Sequence, residues 1–268
     1  MLSVCATPIG NLEDVTLRVL AELAAADLVL CEDTRQTKRL LDRHGIRARL
    51  LSYHEHNEAA RTAAVLPRLR AGERIALVSD AGLPGLSDPG ARLIRAAADA
   101  GVPATVLPGP SAIDTALVAS GLVAERYVFL GFLPRGEKAL AAAWDELAGW
   151  QWPAVAFESP RRLPATLASL ARAHAEREVA VCRELTKRHE QVVRGPAREL
   201  AARFAEPPKG EVTVVIGAAV AGAAAAGLDE AVGAVGELVA AGVARRQAAG
   251  VVARLTGIPR KRLYDMSL

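Results

Sequence analysis

The chain has 268 residues, of which 51% are hydrophobic and 24% charged, and its formal net charge is +3. That length fits one large or two medium domains, and the apolar content excludes wholesale disorder. The small net charge neither demands nor rules out nucleic acid, and with only five lysines among 33 basic residues, arginine abundance reads as compositional bias.

In chain order, "LSVCA", "DLVLC", "ARLLSY", "RIALVS" and "ATVLP" read as strands, with helical patterns over 14–25, 35–44, 58–71 and 88–101. This β-then-α rhythm predicts a mostly parallel sheet covered on both faces. Asp88 before Pro89 reads as a helix N-cap followed by proline at the first helical position. Ser111 with Asp114 resembles a capping box, and Gly45 and Gly101 stand where C-caps belong.

A segment "GPSAIDTALVASGLVAER" reads as a helix and places a domain boundary around 112–125. A second α/β series follows, with strands "YVFLGF", "PAVAFE", "EVAVCRE" and "EVTVVIG" and helical patterns near 137–149, 160–175 and 196–206. The uncharged span from Val212 to Leu228 reads as a strand and an Ala/Gly linker, and residues 229–268 as wholly helical. The expected division is therefore 1–113, an N-terminal α/β domain; 114–220, a C-terminal α/β domain; and 229–268, a basic helical tail. Cys5, Cys31 and Cys182 are too scattered for a disulfide framework or zinc cluster and fit a reducing cytosol. No signal peptide or membrane span is read, so a soluble, cytoplasmic protein is expected.

Four loops leave strand ends with unusual chemistry: "ATPIGNLED", "CEDTR", "SDAGLPGLSDPG" and "LPGPSA". Ligands of open α/β sheets sit at such ends. The Walker and dinucleotide glycine patterns are both absent. Two aspartates, Asp80 and Asp88, would repel a pyrophosphate and suit a ligand with hydroxyls or positive charge, such as S-adenosylmethionine. A divalent metal is the competing use for them. Asp88 reads mainly as a cap; Asp80, flanked by glycines, is the better ligand candidate.

"ATPIGNLEDVT", "CEDTRQTKRLL", "YHEHNE", "LVSDAGLPGLSDPG", "PGPSA", "ESPRRL" and "RELTK" occur in this order. Together they resemble the tetrapyrrole-methylase superfamily and, more narrowly, the ribosomal RNA small subunit methyltransferase I family. The resemblance spans roughly 4–217 and continues in "QAAGVVARLTGIPRKRLYDMSL". Gly85, Leu86 and Arg161 depart from the family pattern.

The resemblance implies two α/β domains with S-adenosylmethionine in the cleft between them, commonly as a homodimer. It further implies methylation of the ribose 2′-oxygen of a decoding-centre cytidine, nucleotide 1402 in the usual numbering, of 16S rRNA in the small ribosomal subunit. Carried over by motif, the cofactor pocket uses Pro8, Ile9, Gly10, Asp80, Ala81, Gly82, Leu83, Ser111 and Ala112, with Phe157 and Leu185 from the second domain.

A ribose hydroxyl needs a base or a polarising cation before it can attack. The candidates are Glu32, Asp33 and His54 as base, with Arg35 and Lys187 holding RNA phosphates or developing charge. A structural ion pair and cap is the alternative for "CEDTR". His54, Glu55 and Glu58 match no known metal-ligand spacing, so no metal is expected. In the tail, Arg245, Arg246, Arg260, Lys261 and Arg262 stand on a pattern of helix, glycine-containing turn and helix, suited to RNA phosphates or, alternatively, to a solvated dimer cap. The rival readings are methylation of a tetrapyrrole or protein side chain, and a non-catalytic RNA-binding assembly factor.

Overall fold

The computed structural model describes residues 1–219, 221–256 and 258–267, with backbone alone over 221–227. The first sheet holds β1 (Leu2–Cys5), β2 (Leu28–Cys31), β3 (Leu50–Ser52), β4 (Ile75–Val78) and β5 (Ala104–Leu107). All pair in parallel in the order β3-β2-β4-β1-β5. Strands β1, β2 and β4 are buried at every position, because successive side chains enter two separate cores. Leu2, Val4, Leu28, Leu30, Ile75 and Leu77 meet α3 (Glu58–Arg70) and α4 (Ala91–Asp99). Cys5, Val29, Cys31, Ala76 and Val78 meet α1 (Leu17–Ala25) and α2 (Thr34–Arg43) on the other face.

The expected parallel sheet is therefore present. The connection from β1 leads past β4 to β2, whereas the connection from β4 leads past β1 to β5. The chain thus departs in opposite directions from two adjacent strands, which opens a crevice at their carboxyl ends.

The second sheet contains β6 (Val128–Phe132), β7 (Ala154–Glu158), β8 (Glu178–Arg183), β9 (Gln191–Pro196) and β10 (Val212–Ile216) in the order β6-β7-β10-β8-β9. Only β6 and β7 pair in parallel; the other three pairings are antiparallel. Strand β9 lies outside the anticipated set. Its sequence has two adjacent valines followed by Arg194, Gly195 and Pro196, and an edge strand tolerates that proline.

One face of this sheet packs on α6 (Glu137–Leu147), α7 (Leu163–Ala173) and α8 (Ala197–Arg203) around the fully buried Trp144, whose indole N–H donates to Ser169 at 3.1 Å. The other face carries α5 (Ala112–Ser120). Ile9, from the loop after β1, joins that second core. The two domains consequently share apolar contacts beside the crevice.

Three helices follow: α9 (Ala221–Ala240), α10 (Arg245–Thr256) and α11 (Arg260–Met266), packed on one another through Val235, Ala248, Ala249, Val252 and Leu263. The expected Ala/Gly linker is corrected here, since helix begins at Ala221. Alanine has the highest helix propensity, and it outweighs the scattered glycines. The glycine of the anticipated turn, Gly257, lies outside the described residues.

Candidate active site

The crevice is built by loops that hold one another. Thr7, after β1, and Gly82, after β4, exchange backbone bonds of 2.9 and 3.0 Å, and the Thr7 hydroxyl donates to the Ser79 carbonyl at 3.0 Å. Gly82 adopts φ +75°, where a side chain would be strained. A Cβ on Gly10 would lie 2.5 Å from Lys187 Cγ and 2.8 Å from the Leu185 carbonyl oxygen. The first domain therefore touches the second through bare backbone. The Asn11 N–H adds a bond to Thr186 Oγ1 at 3.1 Å.

Between the domains lies a cleft of about 630 Å³, within the usual range for small-molecule sites. Nine of the residues expected to hold the cofactor line it: Ile9, Asp80, Ala81, Gly82, Leu83, Ser111, Ala112, Phe157 and Leu185. Pro8 and Gly10 instead line an adjoining pocket of about 370 Å³, whose wall shares Ile9, Asp80, Ala81 and Glu211 with the first. The larger cleft presents six carboxylate residues, Glu32, Asp80, Asp88, Asp114, Glu158 and Glu211, and no lysine, arginine or histidine. Phosphate has no cationic partner there, whereas a cation is favoured.

The carboxylates feel one another. Burial, then the charges of Glu32 and Asp80, pushes the Asp88 carboxyl up to about 6. Burial followed by Asp80 raises Glu32, and burial also raises Asp80.

A model of the tetrapyrrole (corrin/porphyrin) methylases matches residues 1–201. A protein of Mycobacterium tuberculosis (strain ATCC 25618 / H37Rv), named ribosomal RNA small subunit methyltransferase I, is 46% identical over 98% of this chain and 93% of its own. Proteins of the same name from Mesorhizobium japonicum and Thermotoga maritima are 43% identical over 98% of this chain and 90% of their own, and 42% identical over 80% and 97%. The chain belongs to the ribosomal RNA small subunit methyltransferase I family of tetrapyrrole methylases. Its fold is shared with uroporphyrin-III-C-methyltransferase from Thermus thermophilus (TM-score 0.56, 21% identity, 81% of this chain and 93% of that one). Diphthine synthase is similar in fold as well (TM-score 0.61, 14% identity, 81% and 89%).

Asp88 of this methylase is not the helix cap its sequence suggests. Helix α4 starts at Ala91 after Gly90, and its free N–H groups are met from another element. Glu58 Oε1 accepts from Gly90 N at 3.0 Å and Arg92 N at 3.4 Å, and from the Tyr53 hydroxyl at 3.1 Å. The "YHEHNE" segment thus braces the "SDPG" loop and leaves the Asp88 carboxylate facing the cleft.

Among the expected catalytic residues, only Glu32 lines the larger cleft. Asp33 caps α2 through the Arg35 N–H at 2.8 Å and pairs with the Arg35 guanidinium at 2.6 Å; that hydrogen-bonded ion pair lowers Asp33 to about 2. His54 is turned toward Asn57, with Nε2 2.9 Å from Asn57 Nδ2. Lys187 lines the smaller pocket, where it donates to Glu184 and Glu211 at 2.9 Å each. Arg161 is exposed and outside the lining.

Glu158, absent from the expected set, is buried and accepts from the Ser159 N–H and the Thr166 hydroxyl at 2.6 Å each, and from Arg162 at 3.2 Å. Its signal was its place, a carboxylate at the carboxyl end of the apolar run "PAVAFE", where ligand-facing loops leave a sheet. No group of three or more His, Cys, Asp or Glu suited to a metal occurs among the described residues. In the tail, Arg246, Arg260, Lys261 and Arg262 are exposed, and Arg245 donates to the Ser267 carbonyl. No helix among the described residues is long and apolar enough to cross a membrane.

Proposed function

We propose that this methylase transfers a methyl group from S-adenosylmethionine to the ribose 2′-oxygen of the decoding-centre cytidine, nucleotide 1402, of 16S rRNA in the small ribosomal subunit. The observation that carries the reading is the cleft wall of six carboxylates without a basic side chain. Such a wall suits a sulfonium and an ammonium and repels a dinucleotide. The names of the relatives support the RNA substrate.

When bound, S-adenosylmethionine supplies an electrophilic methyl on sulfur. The residues present fit that group: Asp80 and Asp88 would meet its positive charge, and Ile9, Leu83, Phe157 and Leu185 would give the apolar surface its adenosine needs. The chain's work is positioning and proton removal. With the cofactor bound, the methyl would pass to O2′ and leave the sulfur neutral, and the residues of the cleft would hold the hydroxyl in line and take its proton on a carboxylate. Among the expected acceptors Glu32 has the position for this, with its proton affinity raised by burial.

Asp33 and Arg35 set the loop that carries Glu32, and the highly exposed Arg35 and Lys187 at the neighbouring pocket meet RNA phosphate. Pro8 and Gly10 line the smaller pocket on either side of Ile9, the residue of that loop that reaches both pockets. His54, held against Asn57 and outside the lining of both pockets, is the less favoured base on this reading. The tail residues Arg245, Arg246, Arg260, Lys261 and Arg262 give affinity with little sequence reading. On this reading the protein is a cytoplasmic homodimer.

Calorimetric titration with S-adenosylmethionine and with NAD checks the cleft. Binding of the first alone is expected; binding of NAD instead would overturn the assignment.

A further inference from the structure

Phe132 is 60% exposed, although large aromatic side chains are ordinarily well covered. Its position follows from an irregularity in β6, where pairing with β7 changes register between Phe129 and Phe132 and Gly131 adopts φ +67°. Bulges of this kind re-aim a side chain beside a site, and Phe132 lines the cleft. Its ring is fixed by an edge contact with Phe157 at 5.5 Å, and Phe157 by Phe129 at 5.1 Å.

From the other domain, Leu86 is 53% exposed and lines the same cleft, on a loop whose Ser87 adopts φ +64°. A Cβ on Gly131 would lie 3.7 Å from Ser87 Oγ, so this loop and the β6 irregularity are in contact. Two unusual backbone segments, one from each domain, thus each direct an exposed apolar side chain into one cleft.

We infer that Phe132 and Leu86 clamp the nucleobase of the acceptor nucleotide. The inference rests on the RNA reading above. In-line transfer sets the acceptor ribose against the methyl, which leaves its base one sugar away. The cleft has no basic side chain for the acceptor's phosphate, so its hold on that nucleotide comes through the base. A base turned out of its stack recovers the lost contact on an aromatic face. The adenine of the cofactor is the other planar group the ring could meet.

The test compares Phe132→Ala, Phe132→Leu and Phe132→Tyr with the unaltered enzyme, using small subunits lacking their modifications as acceptor and calorimetry for S-adenosylmethionine. Phe132→Ala and Phe132→Leu are expected to raise KM for subunits about tenfold or more, the loss that one base–aromatic stack carries. Phe132→Tyr is expected to restore it, with cofactor Kd within about twofold throughout. A leucine variant equal to phenylalanine, or a loss confined to cofactor Kd, would overturn the inference while leaving the RNA reading intact. Unaltered enzyme that labels no subunits would overturn both.

Discussion

The Asp80 carboxylate accepts the backbone N–H of Asp33 across 3.0 Å, which ties the loop after β4 to the start of α2. An asparagine oxygen can accept the same bond, so Asp80→Asn removes the charge and keeps the tie. S-adenosylmethionine Kd is expected to rise at least about tenfold, the worth of one charged contact, with the melting temperature nearly unchanged. Unchanged affinity by calorimetry would remove Asp80 from the cofactor's surroundings.

Asp88 gives the cleft a pH dependence. Its carboxyl is raised from 3.8 to about 6, so the fold disfavours its ionised form. Its contribution to stability is therefore fully present below about pH 3.8 and is lost as pH rises through about 6. Asp88→Asn is expected to stabilise the protein by on the order of 1–2 kcal/mol at pH 8 and by little at pH 4. For a cationic ligand the sign reverses. Affinity of the natural protein should climb between pH 5 and 7, and the asparagine variant should flatten that climb. Equal slopes for the two proteins in calorimetry across this window would exclude Asp88 as a contact.

Glu58 holds the "SDPG" loop from outside the helix it caps. Glu58→Ala is expected to cost about 1–2 kcal/mol, the usual loss of an N-cap. Faster amide exchange should be concentrated at Gly90 and Arg92. Exchange that speeds up uniformly over the domain would mean that Glu58 does not brace this loop.

These same residues show what was legible in the sequence. The cleft lining could be read because its residues sit in polar, glycine-rich loops interrupting apolar runs, and a parallel sheet brings such loops together at one end. Asp88 could not be placed, since "SDPG" fits a cap locally and only the approach of Glu58 from α3 displaces it. For Phe132 the sequence holds half the signal: Gly131 inside an apolar strand marks a bulge, but which side chain the bulge exposes is set by the pairing with β7. The second α/β series did not reveal its pairing direction, and its strand β9 was not anticipated, because β8 and β9 form a hairpin with no helix between them to punctuate the sequence.

The tail carries its positive charge on a helical unit with its own small core, so its surface can be changed without disturbing the cleft. Arg260→Glu with Arg262→Glu is expected to weaken binding of the small-subunit RNA. The slope of log affinity against log salt should fall by about one unit or more, as two phosphate contacts are lost. A slope equal to that of the natural protein would assign these arginines to solvent.

The central claim is tested most directly by methyl transfer from radiolabelled S-adenosylmethionine to small ribosomal subunits lacking their modifications, with the product mapped by alkaline hydrolysis. A 2′-O-methyl ribose cannot form the cyclic phosphate that alkali requires, so its linkage survives. Label at a single alkali-resistant cytidine linkage in 16S rRNA is the expected result. Label in alkali-sensitive linkages, or transfer to a tetrapyrrole while subunits stay unlabelled, would contradict the account.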